Sequence, residues 1–367
     1  MIRLAFVGCG AVTEEEHLPA LAGLDGIQTV AAVDPDPRRL QHVADHFQIR
    51  ARYRDVESLL SASDIDAVAV CIPATVHAAA VVPVLEAGKH LFVEKPPGLS
   101  LDDVDRMIDA ARSRPVKALV GYHMRWHRLV RQARGIIASG ALGAIESVRL
   151  VWYGPRDDQY LPPWRERRDL GGGALVETAV DHFDLLRYLL GTEVDEIFAL
   201  SRPGRREDEN AVVSGVLANG ILVSAVFSER TTGDIEVEVC GSEARLRVSC
   251  ERFEGLALYP NGSSPGSVRS RLKRLPQIAR VLPSGLMNLR QGGDFKVSYR
   301  EQWRHFRDAI QRDLPVECTL EDGRAALQIA LAAAESATVG RPVQIGRASR
   351  KMVPATPRGA RQSSGRG

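Results

Sequence analysis

The sequence predicts an α/β fold in two parts: a doubly wound parallel sheet first, then an α+β domain built on a large, mostly antiparallel open sheet. Three observations lead there. Short apolar runs alternate with helical patterns as far as residue 122, the rhythm of βαβ units whose strands are covered on both faces. Beyond about residue 145, strand-like runs follow one another directly, as hairpin-connected antiparallel strands do. A glycine turn, "VGCG", joins the first apolar run to a helical segment, the place where a parallel sheet of this kind receives its ligand.

Taken in order, "IRLAFVG" is the first strand, "EEEHLPALAGL" the first helix, and "TVAAVD" with "RRLQHVADHF" repeats the unit. "AVAVCIP", "VHAAAVVPVLEAG", "HLFVEKP", "LDDVDRMIDAARSR" and "KALVGYH" continue the alternation. In the second half "ESVRLVWYG", "DEIFALSR", "NAVVSGVLANG", "ILVSAVFSER", "DIEVEVCG" and "ARLRVSC" read as strands. Asn219-Gly220 marks a hairpin. Ile235, Val237 and Val239 alternate with Glu236, Glu238 and Cys240, one face inward and the other partly wet. A helix is expected within 171–191 and two more near the C-terminus. Trp303, Phe306 and Ile310 form the apolar stripe of one, and Thr319 with Asp322 resembles the start cap of the other. The expected divisions are 1–122 for the parallel-sheet domain, 123–346 for the α+β domain with its last helices packed back on the first, and 347–367 for a basic, disordered tail. Residues 266–293, Arg/Lys-rich and broken by proline, read as an exposed excursion.

Composition narrows the class. The chain has 367 residues, 44% hydrophobic and 26% charged, which fits a soluble globular protein. The tail "RASRKMVPATPRGARQSSGRG" holds six Lys/Arg and no acid, so the body carries 42 basic against 46 acidic residues, a net charge of −4. Neither a specific nucleic-acid partner nor a membrane is expected, and no uncharged apolar run approaches the ~18 residues of a span. The spacing of Cys9, Cys71, Cys240, Cys250 and Cys318 suggests neither a zinc site nor a disulfide framework, which suits a reducing cytoplasm.

The turn "FVGCGAV" places Gly8, Gly10, Ala11 and Val12 where backbone N–H groups can approach a pyrophosphate. The third glycine of the usual fingerprint is absent, and Thr13 stands there. Asp34 closes the second strand 24 residues after Gly10, where a carboxylate accepts from ribose hydroxyls and repels a 2′-phosphate, favouring NAD over NADP. Glu94, Lys95, Pro96 and Pro97 close a later strand. Ligands of open α/β sheets sit beyond such strand ends, so Lys95 is expected near the nicotinamide, where an ammonium stabilises a developing alkoxide. A cis Lys95-Pro96 bond suits that proline turn.

With these pieces together the chain resembles the Gfo/Idh/MocA oxidoreductases, a family that includes glucose–fructose oxidoreductase and inositol dehydrogenase. The matching segments are "GCGAV…HLPAL", "AGKHLFVEKP", "VGYHMRWH", "ASGALG" and "GGGALVETAVDHFDLLRYLLG". The resemblance implies that residues 1–122 form a dinucleotide-binding Rossmann domain and 123–346 a substrate and oligomerisation domain. It also implies a tightly held NAD(P), of which Asp34 favours NAD, a sugar or cyclitol substrate, and a homodimer or homotetramer formed through the open sheet face. It assigns Lys95 to catalysis. It puts Ile72, Pro73, His77, Glu94 and Arg125 along the cofactor cleft with Gly8, Gly10 and Asp34. It also puts Tyr122, Trp164 and Arg165 with Lys95, Glu177 and Asp181 on the substrate side. Two other activities stay open: glycoside processing through transient oxidation by bound NAD, and a non-catalytic NAD- and sugar-binding sensor.

The helix pattern departs from the family at one point. Four residues after the first acid the family places a catalytic histidine; here the two positions hold Glu177 and Asp181, and His182 comes one place later. At about 100° per residue, Glu177, Asp181, Asp184 and Tyr188 share one face and His182 points elsewhere. Two candidates for the proton-transfer group therefore stand: Asp181, or His182 brought round by a local π-bulge. The pairs His42/His46 and His123/His127 have metal-compatible spacing but suggest no third ligand.

Overall fold

Six parallel strands in the order β3-β2-β1-β4-β5-β6 build the first sheet: β1 (Ile2–Val7), β2 (Ile27–Val33), β3 (Ala51–Tyr53), β4 (Ala67–Val70), β5 (His90–Val93) and β6 (Ala118–Val120). The order reverses between β1 and β4, which pair from Leu4↔Ala67 to Val7↔Val70, and a crevice opens beyond their carboxyl ends. Every residue of β4 is buried, as expected for a strand with helices on both faces. Those helices are α1 (Leu18–Leu21), α2 (Pro37–His46), α3 (Val56–Ala62), α4 (His77–Glu86) and α5 (Leu101–Arg112). Local chemistry starts them where the sequence allows. Asp36 accepts from the N–H groups of Arg38 and Arg39 with Pro37 at the first helical position, and Ser100 accepts from Asp103 N–H at 3.1 Å. The structure, a computed structural model, describes residues 1–62, 64–154, 162–252, 254–262, 279, 283 and 285–345. The basic tail and most of the 266–293 excursion lie outside the described residues.

The second sheet has eight strands in the order β13-β12-β11-β7-β10-β9-β8-β14. They are β7 (Ile145–Tyr153), β8 (Val194–Arg202), β9 (Asn210–Leu217), β10 (Leu222–Ser228), β11 (Asp234–Gly241), β12 (Ala244–Ser249), β13 (Leu256–Pro260) and β14 (Val343–Gln344), with α6 (Arg128–Ala138), α7 (Ala179–Leu190), α8 (Gly293–Gln311) and α9 (Leu320–Val339) around them. All neighbours run antiparallel except β10 and β7. One face packs on α7 and α9 through residues such as Ala199, Val213, Ala225 and Phe227. The other face is open: Leu200 lies opposite Val212, and Val212 opposite Val226, with Leu200, Val212 and Leu222 each more than half exposed.

Both C-terminal helices return to the first domain. In α8, Trp303 stacks on Phe92 of β5 with centroids 4.3 Å apart, and Gln302 donates to the Val120 carbonyl. Helix α9 begins with a full capping box between Thr319 and Asp322. It then runs so close to the proline turn that a Cβ on Gly323 would sit 2.9 Å from the Pro97 ring.

Candidate active site

The crevice between β1 and β4 is shaped to take a dinucleotide. Gly8 has φ +101°, and a Cβ there would lie 2.3 Å from the Cys71 carbonyl oxygen at the end of β4, so no larger residue fits this approach of two strand ends. Gly10, by contrast, faces open space, as the backbone wall of a pyrophosphate site must. Ala11 and Pro73 are exposed on either lip, with Val12 and Ile72 half-buried beside them. Thr13 stands in for the third glycine: its hydroxyl donates to the Gly8 carbonyl at 2.7 Å and ties helix to loop. Asp34 is held by the N–H groups of Cys9 and Asp36, both at 2.9 Å, one on each carboxylate oxygen. Each oxygen keeps a further lone pair for a ribose hydroxyl. His77 is buried between the Ile72 carbonyl at 2.8 Å and the Pro97 carbonyl at 3.2 Å. Burial pushes its pKa down, so it acts as a strut joining the β4 turn to the proline turn.

At the end of β5 the Lys95-Pro96 bond is cis. The Lys95 ammonium meets the Asp181 carboxylate at 2.6 Å and donates to the Glu177 carbonyl oxygen at 3.0 Å. Two groups from different domains, 86 positions apart, thus converge on one point. Burial raises the Asp181 carboxyl against the pull of Lys95, with Glu94 and Asp184 adding to the rise, to about 6. Its second oxygen, Oδ1, is buried with no hydrogen-bond partner among the described residues. An unmet acceptor beside an ammonium is the arrangement that receives a hydroxyl.

The neighbouring acids have other roles. Glu177 pairs with Arg165 at 2.9 Å, and the Arg165 guanidinium lies over the Trp164 ring at 5.2 Å, so the "WR" segment does reach the site helix. Asp184 is buried and takes a bidentate contact from Arg125, at 2.7 Å from Nε and 2.5 Å from Nη2. The same guanidinium contacts Asp322 at 3.1 Å and the Glu317 carbonyl. Arg125, expected along the cofactor cleft, is therefore engaged in a clamp that ties α7 and α9 to the segment after β6. Tyr122 is fully buried, and its hydroxyl has no partner among the described residues.

His182 lies about 100° round the helix from Asp181. The first turn, Ala174–Thr178, is a π-helix, the distortion that could have brought His182 round. It does not: Nδ1 faces the Thr178 carbonyl at 3.3 Å, and the ring packs edge-on against Phe227 at 5.3 Å. Burial drives its pKa down to about 4. The widened turn instead presents the Glu177 carbonyl to Lys95. Sequence reasoning missed His17, which bonds Glu94 at 2.9 Å, and its partner Trp303. "HLPAL" was visible as a motif, but nothing in the sequence ties it to residue 303. Among the described residues no three His, Cys, Asp or Glu side chains cluster as a metal site. His42 pairs with Glu14 and stacks on His46.

A Rossmann sheet with a glycine-lined crevice, an acid closing its second strand and a lysine–carboxyl pair at its edge define an NAD-binding oxidoreductase. The chain belongs to the Gfo/Idh/MocA family: residues 2–122 match "Oxidoreductase family, NAD-binding Rossmann fold" and residues 130–247 match "GFO/IDH/MocA C-terminal domain". It is 27% identical to myo-inositol 2-dehydrogenase of Thermotoga maritima, covering 94% of this chain and 98% of that protein. It is 26% identical to 1,5-anhydro-D-fructose reductase of Ensifer adhaerens, covering 94% and 99%. Its fold superposes on the WlbA dehydrogenase of Bordetella pertussis, crystallised with NADH and UDP-GlcNAcA, with TM-score 0.81 at 21% identity, over 94% of this chain and 97% of that one.

Proposed function

We propose that the chain transfers a hydride between NAD and a secondary hydroxyl, or the matching ketone, of a sugar, sugar derivative or cyclitol. The observation that carries the reading is the Lys95–Asp181 pair, 2.6 Å apart at the carboxyl edge of the parallel sheet, with Asp181 Oδ1 left as an unmet acceptor. Bound NAD supplies the hydride acceptor. Lys95 hydrogen-bonds the substrate oxygen and stabilises the alkoxide that forms as hydride leaves. Asp181 Oδ1 takes the hydroxyl proton in oxidation and returns it in reduction. An aspartate with a pKa of about 6 works near neutral pH far better than one at the ordinary ~3.9. It replaces the imidazole the family places there. His182, by its packing, contributes to the core behind Asp181. Glu177 and Arg165 with Trp164 form the substrate wall, and its carboxylate and guanidinium suit a ligand rich in hydroxyls. The polyol and sugar substrates in the relatives' names favour the same class.

The test is NADH formation with a panel of inositols, pyranoses and sugar derivatives. Lys95→Ala is expected to lower kcat by roughly 10²–10⁴-fold. A Lys95→Ala enzyme that turns over like the parent, or a protein without affinity for NAD, overturns the reading. Two further elements of the proposal concern setting: copies associate through the open face of the eight-stranded sheet, and the protein works in the cytoplasm, where its five free thiols stay reduced.

A further inference from the structure

We propose that Trp303 and His17 are positioning residues for the catalytic lysine: together they fix one histidine tautomer, which orders Glu94 and through it the backbone of Lys95. The inference rests on the reading of Lys95 given above. The Trp303 indole N–H points at His17 Nδ1, 3.2 Å away. An indole nitrogen only donates, so Nδ1 must be the lone-pair nitrogen, and the proton of a neutral ring is on Nε2. That N–H then donates to Glu94 Oε1 at 2.9 Å, while Glu94 Oε2 accepts from the Lys95 backbone N–H at 3.2 Å. Each proton in this chain has one place.

The surroundings leave no second arrangement. His17 and Trp303 are completely buried. The His17 ring is held edge-on between Phe92 at 5.2 Å and Tyr299 at 5.3 Å, which blocks a flip. On the other side of Glu94, Gly121 leaves the space that Oε1 occupies: a Cβ there would lie 2.6 Å from it. The three links come from the first helical turn, the end of β5 and α8. A helix near the C-terminus, 208 positions after Lys95, thereby sets where the lysine begins its reach to Asp181.

Tautomer logic gives the test a signature that ordinary packing lacks. Trp303→Phe keeps an aromatic ring on Phe92 but removes the donor; kcat is expected to fall about fivefold, one hydrogen bond's worth, with KM and NAD affinity nearly unchanged. In Glu94→Gln one amide edge donates. Whichever way the amide turns, it sets a donor against a donor, at His17 Nε2–H or at Lys95 N–H, or forces the ring proton onto Nδ1 against the indole. A loss of roughly tenfold or more in kcat is expected. In the double variant the indole donor is gone, so His17 can carry its proton on Nδ1 and accept from the introduced amide through Nε2. Trp303→Phe should then cost nothing further, or restore part of the rate. Nitrogen-15 NMR of the parent protein, free and with NAD, should show His17 protonated at Nε2 only. Losses that multiply in the double variant, or a parent His17 protonated at Nδ1, overturn the proposal. Lys95→Ala serves as the separate control. If it is inactive while Trp303→Phe and Glu94→Gln keep full rate, the positioning role fails and the lysine's role stands. If it is itself fully active, the functional reading fails first.

Discussion

Asp181 sits where two forces oppose each other: burial favours the neutral acid and Lys95 favours the anion, and burial is the larger. The pH dependence follows. Oxidation needs the base form, so kcat/KM for the alcohol should rise with pH and level off above about 6. Reduction needs the acid form and should fall over the same interval. Stability has the opposite slope to a normal salt-bridged aspartate. The folded pKa lies above the unfolded one, so the native state holds the proton more tightly; that advantage is complete below ~3.9 and lost as pH rises through about 6, on the order of 3 kcal/mol. Asp181→Asn should remove this slope in thermal melts at pH 4 to 7 while lowering turnover by roughly 10²-fold or more. His182→Phe should keep turnover within about threefold, because its ring faces the Thr178 carbonyl and packs against Phe227 rather than meeting Lys95. Equal losses in the two variants would refute the assignment of the proton to Asp181. Much of this was legible: a strand-end lysine after a β-run and the phase of a helix place Lys95 and Asp181 together and turn His182 away. Arg125 and His17 were not, because their partners Asp184, Asp322 and Trp303 lie 59 to 286 positions off, and periodicity says nothing about such distances.

At the scale of elements, the site depends on how α7 is entered. Gly172 passes so near the Arg165 backbone that a Cβ would sit 2.2 Å from its carbonyl oxygen, and the π turn that follows aims the Glu177 carbonyl at Lys95. Gly172→Ala must push the 164–165 segment outward, since backbone cannot yield as a flexible side chain does. The expected outcome is a KM for substrate raised about tenfold and a stability loss of ~2 kcal/mol, with NAD affinity unchanged because Gly8 and Asp34 lie on other elements. A matching loss of NAD affinity in calorimetric titration would show that the segment does not act on the substrate side. Strands were readable from alternation, and the start of α9 from Thr319, whose side chain acts within three residues; the caps at Asp36 and Ser100 come from the structure. Of the two π turns, the one at Ala174–Thr178 stood in the sequence only as an alternative for His182, and the one at Thr13–His17 left no sign. A one-residue underwinding leaves the apolar pattern nearly intact, and tertiary contacts select it.

At the scale of the whole molecule, the eight-stranded sheet presents two unlike faces. The covered face closes the core. The open face divides in turn: toward β11 and β12 it is laced by Arg149, Arg245 and Arg247 with Glu236 and Glu238, while toward β8 to β10 it exposes Leu200, Val212 and Leu222 at 56, 54 and 58%. Direct pairing across strands gathers Leu200, Val212 and Val226 into one row, and contiguous apolar surface of this kind on a rigid sheet marks an association face. In the association proposed above, a second copy would meet it with the same row and the same alternating charges, a self-complementary two-fold arrangement. Sedimentation of the 40.1 kDa chain should therefore give a dimer or tetramer. Val212→Glu with Leu222→Glu sets like charges against each other across that axis and should yield monomers. Because the crevice and the Lys95–Asp181 pair lie on the other side of the covered face, those monomers should still bind NAD with parental affinity. A parent protein that sediments as a monomer at micromolar concentration would show that the apolar row serves something other than a second copy.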